Sequence, residues 1–304
     1  MDFDQLRAFI NVVSLKSFSG AADKLYISQP SVSMRIKTLE QELGLALFDR
    51  SKAREPVLTE FGQLFLDYAQ AVINLEDEFK SKLFTRNEEA IGMIRVGAST
   101  VPGTYLLPSI LAGFKKSCPA VEFKINILDT GAVLEGIQNY DYELGFVGSR
   151  KENGKIDYLP LVEDELVLCT PRGLFNNDAY KERGIPLDNI LSGNLLMREQ
   201  GSATRQFWEK LLAEKELQLG DFFSITYFNS LEGIKQAVMA GLGISVLSKM
   251  SVADAAAIGR IDLYRIRDMD MRRLLYLVCH CRRVHSLAVR LFRDYIVDQY
   301  GLED

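Results

Sequence analysis

Two short runs combine hydroxyls, a glycine and backbone N–H groups at what read as strand-to-helix junctions. The first is Val96-Gly97-Ala98-Ser99-Thr100-Val101-Pro102-Gly103; the second is Met197-Arg198-Glu199-Gln200-Gly201-Ser202-Ala203-Thr204-Arg205. The first N–H groups of a helix lack intrahelical partners, and the helix dipole adds positive potential there, so such junctions attract anions. Ser99, Thr100 and Val101 in one run, and Arg198, Gly201, Ser202 and Thr204 in the other, are therefore candidate anion ligands. Thr130 at the end of a second strand and Gly148 after Leu144–Val147 would join them. Hydroxyls at helix starts usually act as N-caps, so either run alone says little. Two such runs in separate halves of the chain point to a cleft.

A third run offers different chemistry. Ser17 to Glu40 has the logic of a helix-turn-helix: Ala21 and Ala22 permit close helix approach, and Val32, Ile36 and Leu39 anchor a second helix from behind. Gln29, Ser33 and Lys37 then recur every four residues on its opposite face. Gln can pair with adenine through two hydrogen bonds, while Ser reads base edges less strictly. Residues early in a recognition helix reach the bases, which favours Gln29, Pro30 and Ser33, with Ser31 and Met34 beside them. Lys24, Arg35, Arg50, Lys52 and Arg54 suit phosphates, which fix register without reading sequence. The rival reading is a solvated helix face in a protein–protein module.

Cys279-His280-Cys281 with His285 invites a metal reading, but alternation along a strand sends His280 away from the two thiols. Buried thiols are the better reading, and neither metal nor cofactor is expected. Both histidines lie near the carboxyl end, and neither a serine elbow nor a glycine-rich phosphate loop beside lysine occurs, so no enzyme is expected.

These residues need elements to hold them. Residues 1–59 read as short helices followed by two strands, Leu45–Asp49 and Val57–Thr59, with a basic tip between them: an all-α winged helix-turn-helix. Residues 60–89 carry Phe61, Leu64, Phe65, Tyr68, Val72, Leu75 and Phe79 at steps of three and four, a long amphipathic linker helix suited to a second copy of itself. From residue 90 to 304 strands alternate with helices, which predicts a doubly wound α/β domain of two lobes. The first lobe would comprise about 90–163 plus 269–304 and the second about 164–268.

The chain has 304 residues, 36 basic and 41 acidic, with a net charge of −5. Residues 1–60 hold eight basic and eight acidic side chains, so attraction to DNA must come from placement rather than bulk charge. Four cysteines, an acidic amino terminus without an export signal and no apolar run near 18 residues predict a cytoplasmic protein with no membrane contact.

Beyond pattern, the first 62 positions resemble a LysR-type transcriptional regulator. The matching runs are Phe18-Ser19-Gly20-Ala21-Ala22, Ser28-Gln29-Pro30-Ser31-Val32-Ser33, Leu39-Glu40, Leu43-Gly44, Leu47-Phe48-Asp49-Arg50 and Leu58-Thr59-x-x-Gly62. Met34 departs from the family, where many relatives carry Arg or another polar residue. The resemblance implies a winged helix-turn-helix, a dimerising linker helix and an effector domain of periplasmic-binding-protein type. It implies a homodimer assembling to a homotetramer on an interrupted palindromic operator in double-stranded DNA, with RNA polymerase as a further contact. It also implies that Ser99, Thr100 and Ser202 line the effector cleft. The Arg198-Glu199-x-Gly201-Ser202-x-Thr204-Arg205 run resembles regulators of sulfur, selenium and carbon assimilation, which implies a small anionic effector, a sulfur oxoanion or an organic anion. A solute-binding protein without a regulatory DNA role is the alternative.

Overall fold

The computed structural model describes residues 1–49, 55–84, 92–151, 154–175, 177–283 and 285–301. Helices α1 (Phe3–Leu15), α2 (Phe18–Leu25) and α3 (Gln29–Leu43) precede a short hairpin, β1 (Phe48–Asp49) and β2 (Val57–Leu58), and the long helix α4 (Glu60–Phe84). Each early helix begins on a side-chain cap: Asp2, Ser17 and Ser28 accept backbone N–H groups of the first turn. Phe9 joins the pieces, its ring centroid 5.4 Å from Phe48 and 5.1 Å from Phe65. Glu40 is buried, and its Oε1 accepts the N–H groups of Leu47 at 2.8 Å and Phe48 at 3.2 Å, which fixes the entry to the wing. Gly62 lets α4 cross the wing closely, since a Cβ there would stand 2.1 Å from the Leu47 carbonyl oxygen. The strands of the wing are shorter than their apolar runs suggested. Arg50, Lys52 and Arg54, expected at its tip, lie outside the described residues.

Helix α4 buries Phe65, Leu66, Ala69 and Ile73 against this head. Phe61, Leu64, Tyr68, Leu75 and Phe79 form a second stripe that remains exposed, Leu64 at 66% and Phe79 at 61%.

The remainder is built from β3 (Gly92–Ser99), a π-helical turn (Pro102–Leu106), α5 (Leu107–Ser117), β4 (Val121–Leu128), α6 (Thr130–Gln138), β5 (Leu144–Val147) and the long β6 (Ile156–Pro171). Then come α7 (Asp178–Arg183), α8 (Asp188–Leu191), β7 (Asn194–Arg198), α9 (Ala203–Ala213), a 3₁₀ turn (Leu219–Asp221), β8 (Ser224–Phe228), α10 (Leu231–Met239) and β9 (Ser245–Ser248). Helix α11 (Lys249–Ala257), β10 (Ile261–Tyr264), β11 (Arg272–His280) and α12 (Leu287–Tyr300) complete the fold. Strand β3 pairs in parallel with β4 and β5, and β7 in parallel with β8, as alternation predicts. Antiparallel pairing enters through the two crossing strands. Residues 156–165 of β6 pair with β11, while residues 166–171 pair with β9 and β10, so one strand runs from the first sheet into the second. Phe292 of α12 covers the first sheet, 4.9 Å from both Phe114 and Phe123. Trp208, fully buried, anchors the second core with Leu212, Ile190 and Ile244.

The head and the α/β domain meet at Tyr140, which follows α6 in a left-handed conformation at φ 62°. Its hydroxyl donates to Asp67 of α4 at 2.9 Å, and its ring stacks on His280 at 4.5 Å. Arg283 donates to the carbonyls of Tyr140 and Tyr142 and to Glu143, each within 3.1 Å. Burial first, and then the hydrogen bond to Asp67, pushes the Tyr140 phenol well above its ordinary range.

Candidate ligand cleft and DNA-reading surface

The two junctions meet. Ser99 ends β3, Thr100 and Val101 open the helical segment that follows, and Ser202 sits at the N-cap of α9. Together with Thr130, Gly148, Arg198 and Thr204 they line a tight cleft of about 20 Å³, to which all the expected residues except Gly201 contribute. Gly201 stands at its rim: at φ 95° it tolerates no side chain without strain, and a Cβ would lie 3.5 Å from the Asp129 carboxylate. The capping role weighed for the hydroxyls fails at Ser202, whose side chain makes no capping bond to α9. Asp129, not a hydroxyl, caps α6 by accepting the Ala132 N–H at 2.9 Å.

The arginines of the cleft are paired with carboxylates. The Arg198 guanidinium grips Glu199 through Nε at 2.7 Å and Nη2 at 2.8 Å, and Nη2 reaches Thr100 Oγ1 at 3.4 Å across the cleft. Partial burial raises the Glu199 carboxyl, but the Arg198 hydrogen bond, a backbone hydrogen bond and the Arg198 and Arg205 charges together hold the group below its ordinary value.

Sequence reasoning missed Arg273. It lines the cleft, is 7% exposed, and binds Asp164 Oδ2 through Nε at 2.9 Å and Nη2 at 2.8 Å. Ser248 holds the other Asp164 oxygen at 2.6 Å. Burial lowers the Arg273 pKa and Asp164 opposes the shift. Its Nη1, and Thr130 Oγ1, are buried polar atoms without a hydrogen-bond partner. The signal for Arg273 was available: along Arg272–His280 the inward positions are Arg273, Leu275, Leu277 and Cys279, so a charge occupies a core-facing place. Asp164 lies 109 positions away, and nothing local announces the pair.

On α3, Val32, Ile36 and Leu39 are buried, and Gln29, Pro30, Ser31, Met34 and Lys37 are exposed. Gln29 donates to Ser33 Oγ at 3.0 Å, so the two side chains hold one another in place. Lys24 is exposed at the end of α2. Arg35 differs from expectation: it turns to Asp4 of α1 at 2.8 Å instead of standing free for a phosphate. At the other end, Cys279 faces the lobe core and His280 faces Tyr140, while Cys281 is exposed. The strand thus sends the Cys and His side chains apart. Among the described residues no group of three or more His, Cys, Asp and Glu could hold a metal ion, and no helix is long and apolar enough to cross a membrane.

A helix-turn-helix head joined by a long helix to a two-lobed domain with a polar cleft defines a DNA-binding regulator controlled by a small molecule. The chain belongs to the LysR family of transcriptional regulators: residues 3–63 match the bacterial regulatory helix-turn-helix protein, lysR family, and residues 87–301 match the LysR substrate binding domain. That is a family of regulators, not of enzymes. A probable RuBisCO transcriptional regulator of Cyanophora paradoxa is 31% identical over 303 residues, covering 99% of this chain and 92% of its own. The HTH-type transcriptional regulator CysL of Bacillus subtilis (strain 168) is 30% identical over 275 residues, 90% of each chain. The solved structure of a full-length OxyR variant from Pseudomonas aeruginosa shares the fold with a TM-score of 0.74 at 20% identity, covering 100% of this chain and 98% of that one.

Proposed function

We propose that the effector is a small anion and that its binding between the lobes alters how the protein holds its operator. The observation that carries this reading is the meeting of two helical starts, at Thr100 and Ala203, on one cleft, with no side-chain capping bond at either. Helix dipoles aimed at one small volume favour a negative ligand. Ser99, Thr100, Val101, Thr130, Gly148, Arg198, Gly201, Ser202 and Thr204 form the binding set. On this reading the lobes divide at about residue 164, near where β6 changes partners, and at about residue 268, in the connection between β10 and β11.

Gln29, Pro30, Ser31, Ser33, Met34 and Lys37 read the operator, and Lys24, Arg50 and Arg54 hold phosphates, with Arg35 first leaving Asp4. The exposed stripe of α4 pairs two chains, and two such dimers assemble on an interrupted palindrome, close to RNA polymerase in the cytoplasm. Titration calorimetry of the full chain against sulfate, phosphate, hydrogen carbonate and small carboxylates tests the effector class. Heat from at least one anion, lost in Ser202→Ala, is expected; no heat from any of them refutes an anionic effector.

A further inference from the structure

The formal charges around the cleft do not add up to an anion trap. Arg198 is matched by Glu199 and Arg273 by Asp164, and Asp129 is left over. Asp129 uses Oδ1 to cap α6, and among the described residues its Oδ2 takes no hydrogen bond. A fully deprotonated oxoanion offers only acceptor oxygens and would meet this carboxylate without a hydrogen between them. An oxoanion that keeps one hydroxyl can donate to it. The same cleft is lined by two orphaned donors: Thr130 Oγ1 on a residue 1% exposed, and Arg273 Nη1, whose sister nitrogens are fixed on Asp164. Buried polar groups without partners are rare and mark a position where a ligand or water would accept from them. Gly148 keeps that position open, because a Cβ there would lie 3.6 Å from Nη1.

We propose that Arg273 Nη1 and Thr130 Oγ1 donate to the effector and that Asp129 selects an oxoanion that retains a hydroxyl, a hydrogen phosphate or an acid of the same pattern, over one that retains none. Arg273 and Thr130 bind, Asp129 discriminates, and Asp164 with Ser248 positions the guanidinium. This rests on the anion-binding reading above and narrows it.

Phosphate and sulfate provide the test, being tetrahedral and of similar size but differing in the proton at pH 7. Calorimetry of the full chain should show phosphate binding about 10-fold or more tightly than sulfate, the factor of one charge-assisted hydrogen bond. Asp129→Asn keeps the α6 cap but replaces the acceptor with a donor, and should abolish or reverse the preference. Thr130→Val, which leaves no charge stranded, should weaken phosphate about 5- to 10-fold, and Arg273→Gln more. Thermal melting accompanies each variant, because Arg273→Gln leaves Asp164 buried and without its ion-pair partner. If neither ion binds wild type but a carboxylate does, glycolate against acetate replaces the pair with the same expectation. No anion binding at all overturns the effector reading and this inference together. Binding that is indifferent to the hydroxyl, or to Asp129→Asn and Thr130→Val, overturns the inference alone.

Discussion

Gly148→Ala isolates the cleft from the rest of the fold. The glycine is not in the left-handed region, so its backbone accepts alanine without strain. The added methyl would lie 3.3 Å from Ala203 Cβ and 3.6 Å from Arg273 Nη1. The first contact is tight but meets a side-chain methyl, so relaxation by a few tenths of an ångström suffices and stability should fall by no more than about 1 kcal/mol. The ligand loses more. The methyl screens the unpartnered Nη1 of Arg273, and a charge-assisted hydrogen bond is worth roughly 1.5–3 kcal/mol, or about 10- to 150-fold in affinity. Titration calorimetry with phosphate measures the affinity, and a gel shift on operator DNA without phosphate serves as the control. The expected result is weakened anion binding with an unchanged basal shift, and Gly148→Val should be more severe. An unchanged phosphate affinity in both variants would refute the placement of the ligand beside Nη1.

Other expectations follow from other parts of the fold. Glu40→Ala strands the N–H groups of Leu47 and Phe48 and should cost about 2 kcal/mol or more, seen as a lowered melting temperature and weakened operator binding; Glu40→Gln, which keeps an acceptor, should lose less. Leu64→Asp on the exposed stripe of α4 should shift the protein toward monomer in analytical ultracentrifugation while leaving its circular dichroism intact. His285 is held down to about 4 from 6.5, by burial first and then by the nearby Arg283 and Arg293 charges. The folded state therefore keeps it neutral while the unfolded chain takes up a proton below pH 6.5, so stability should fall by about 3 kcal/mol as pH drops from 6.5 to 4. Urea denaturation across that range should show a shallower decline in His285→Gln.

Much of this was legible because local signals and tertiary demands coincided. Val121–Leu128, Leu144–Val147, Ser224–Phe228 and Ile261–Tyr264 are strands over the residues that their apolar runs mark. The first half of β6 lacks such a run, since Pro160 and the acidic residues Glu163-Asp164-Glu165 break its apolar pattern. Pro160 is accommodated opposite Tyr276, where the register between β6 and β11 shifts, and irregularities of this kind are where a strand tolerates proline. Helix α11 carries no such signal, because Ala253, Ala255, Ala256 and Ala257 give no apolar periodicity. Within the cleft, hydroxyls beside strand ends announced themselves, whereas Arg273 and Asp164 acquire their roles only when two strands pair across the hinge.

Nuclease footprinting of the full chain on the DNA flanking its own gene, with and without phosphate, bears on the central claim most directly. The expected pattern is two protected half-sites read through Gln29 and Ser33, a footprint that changes when phosphate is added, and loss of selective protection in Gln29→Ala and Ser33→Ala. Protection that persists in both variants and is indifferent to every anion tested would contradict it.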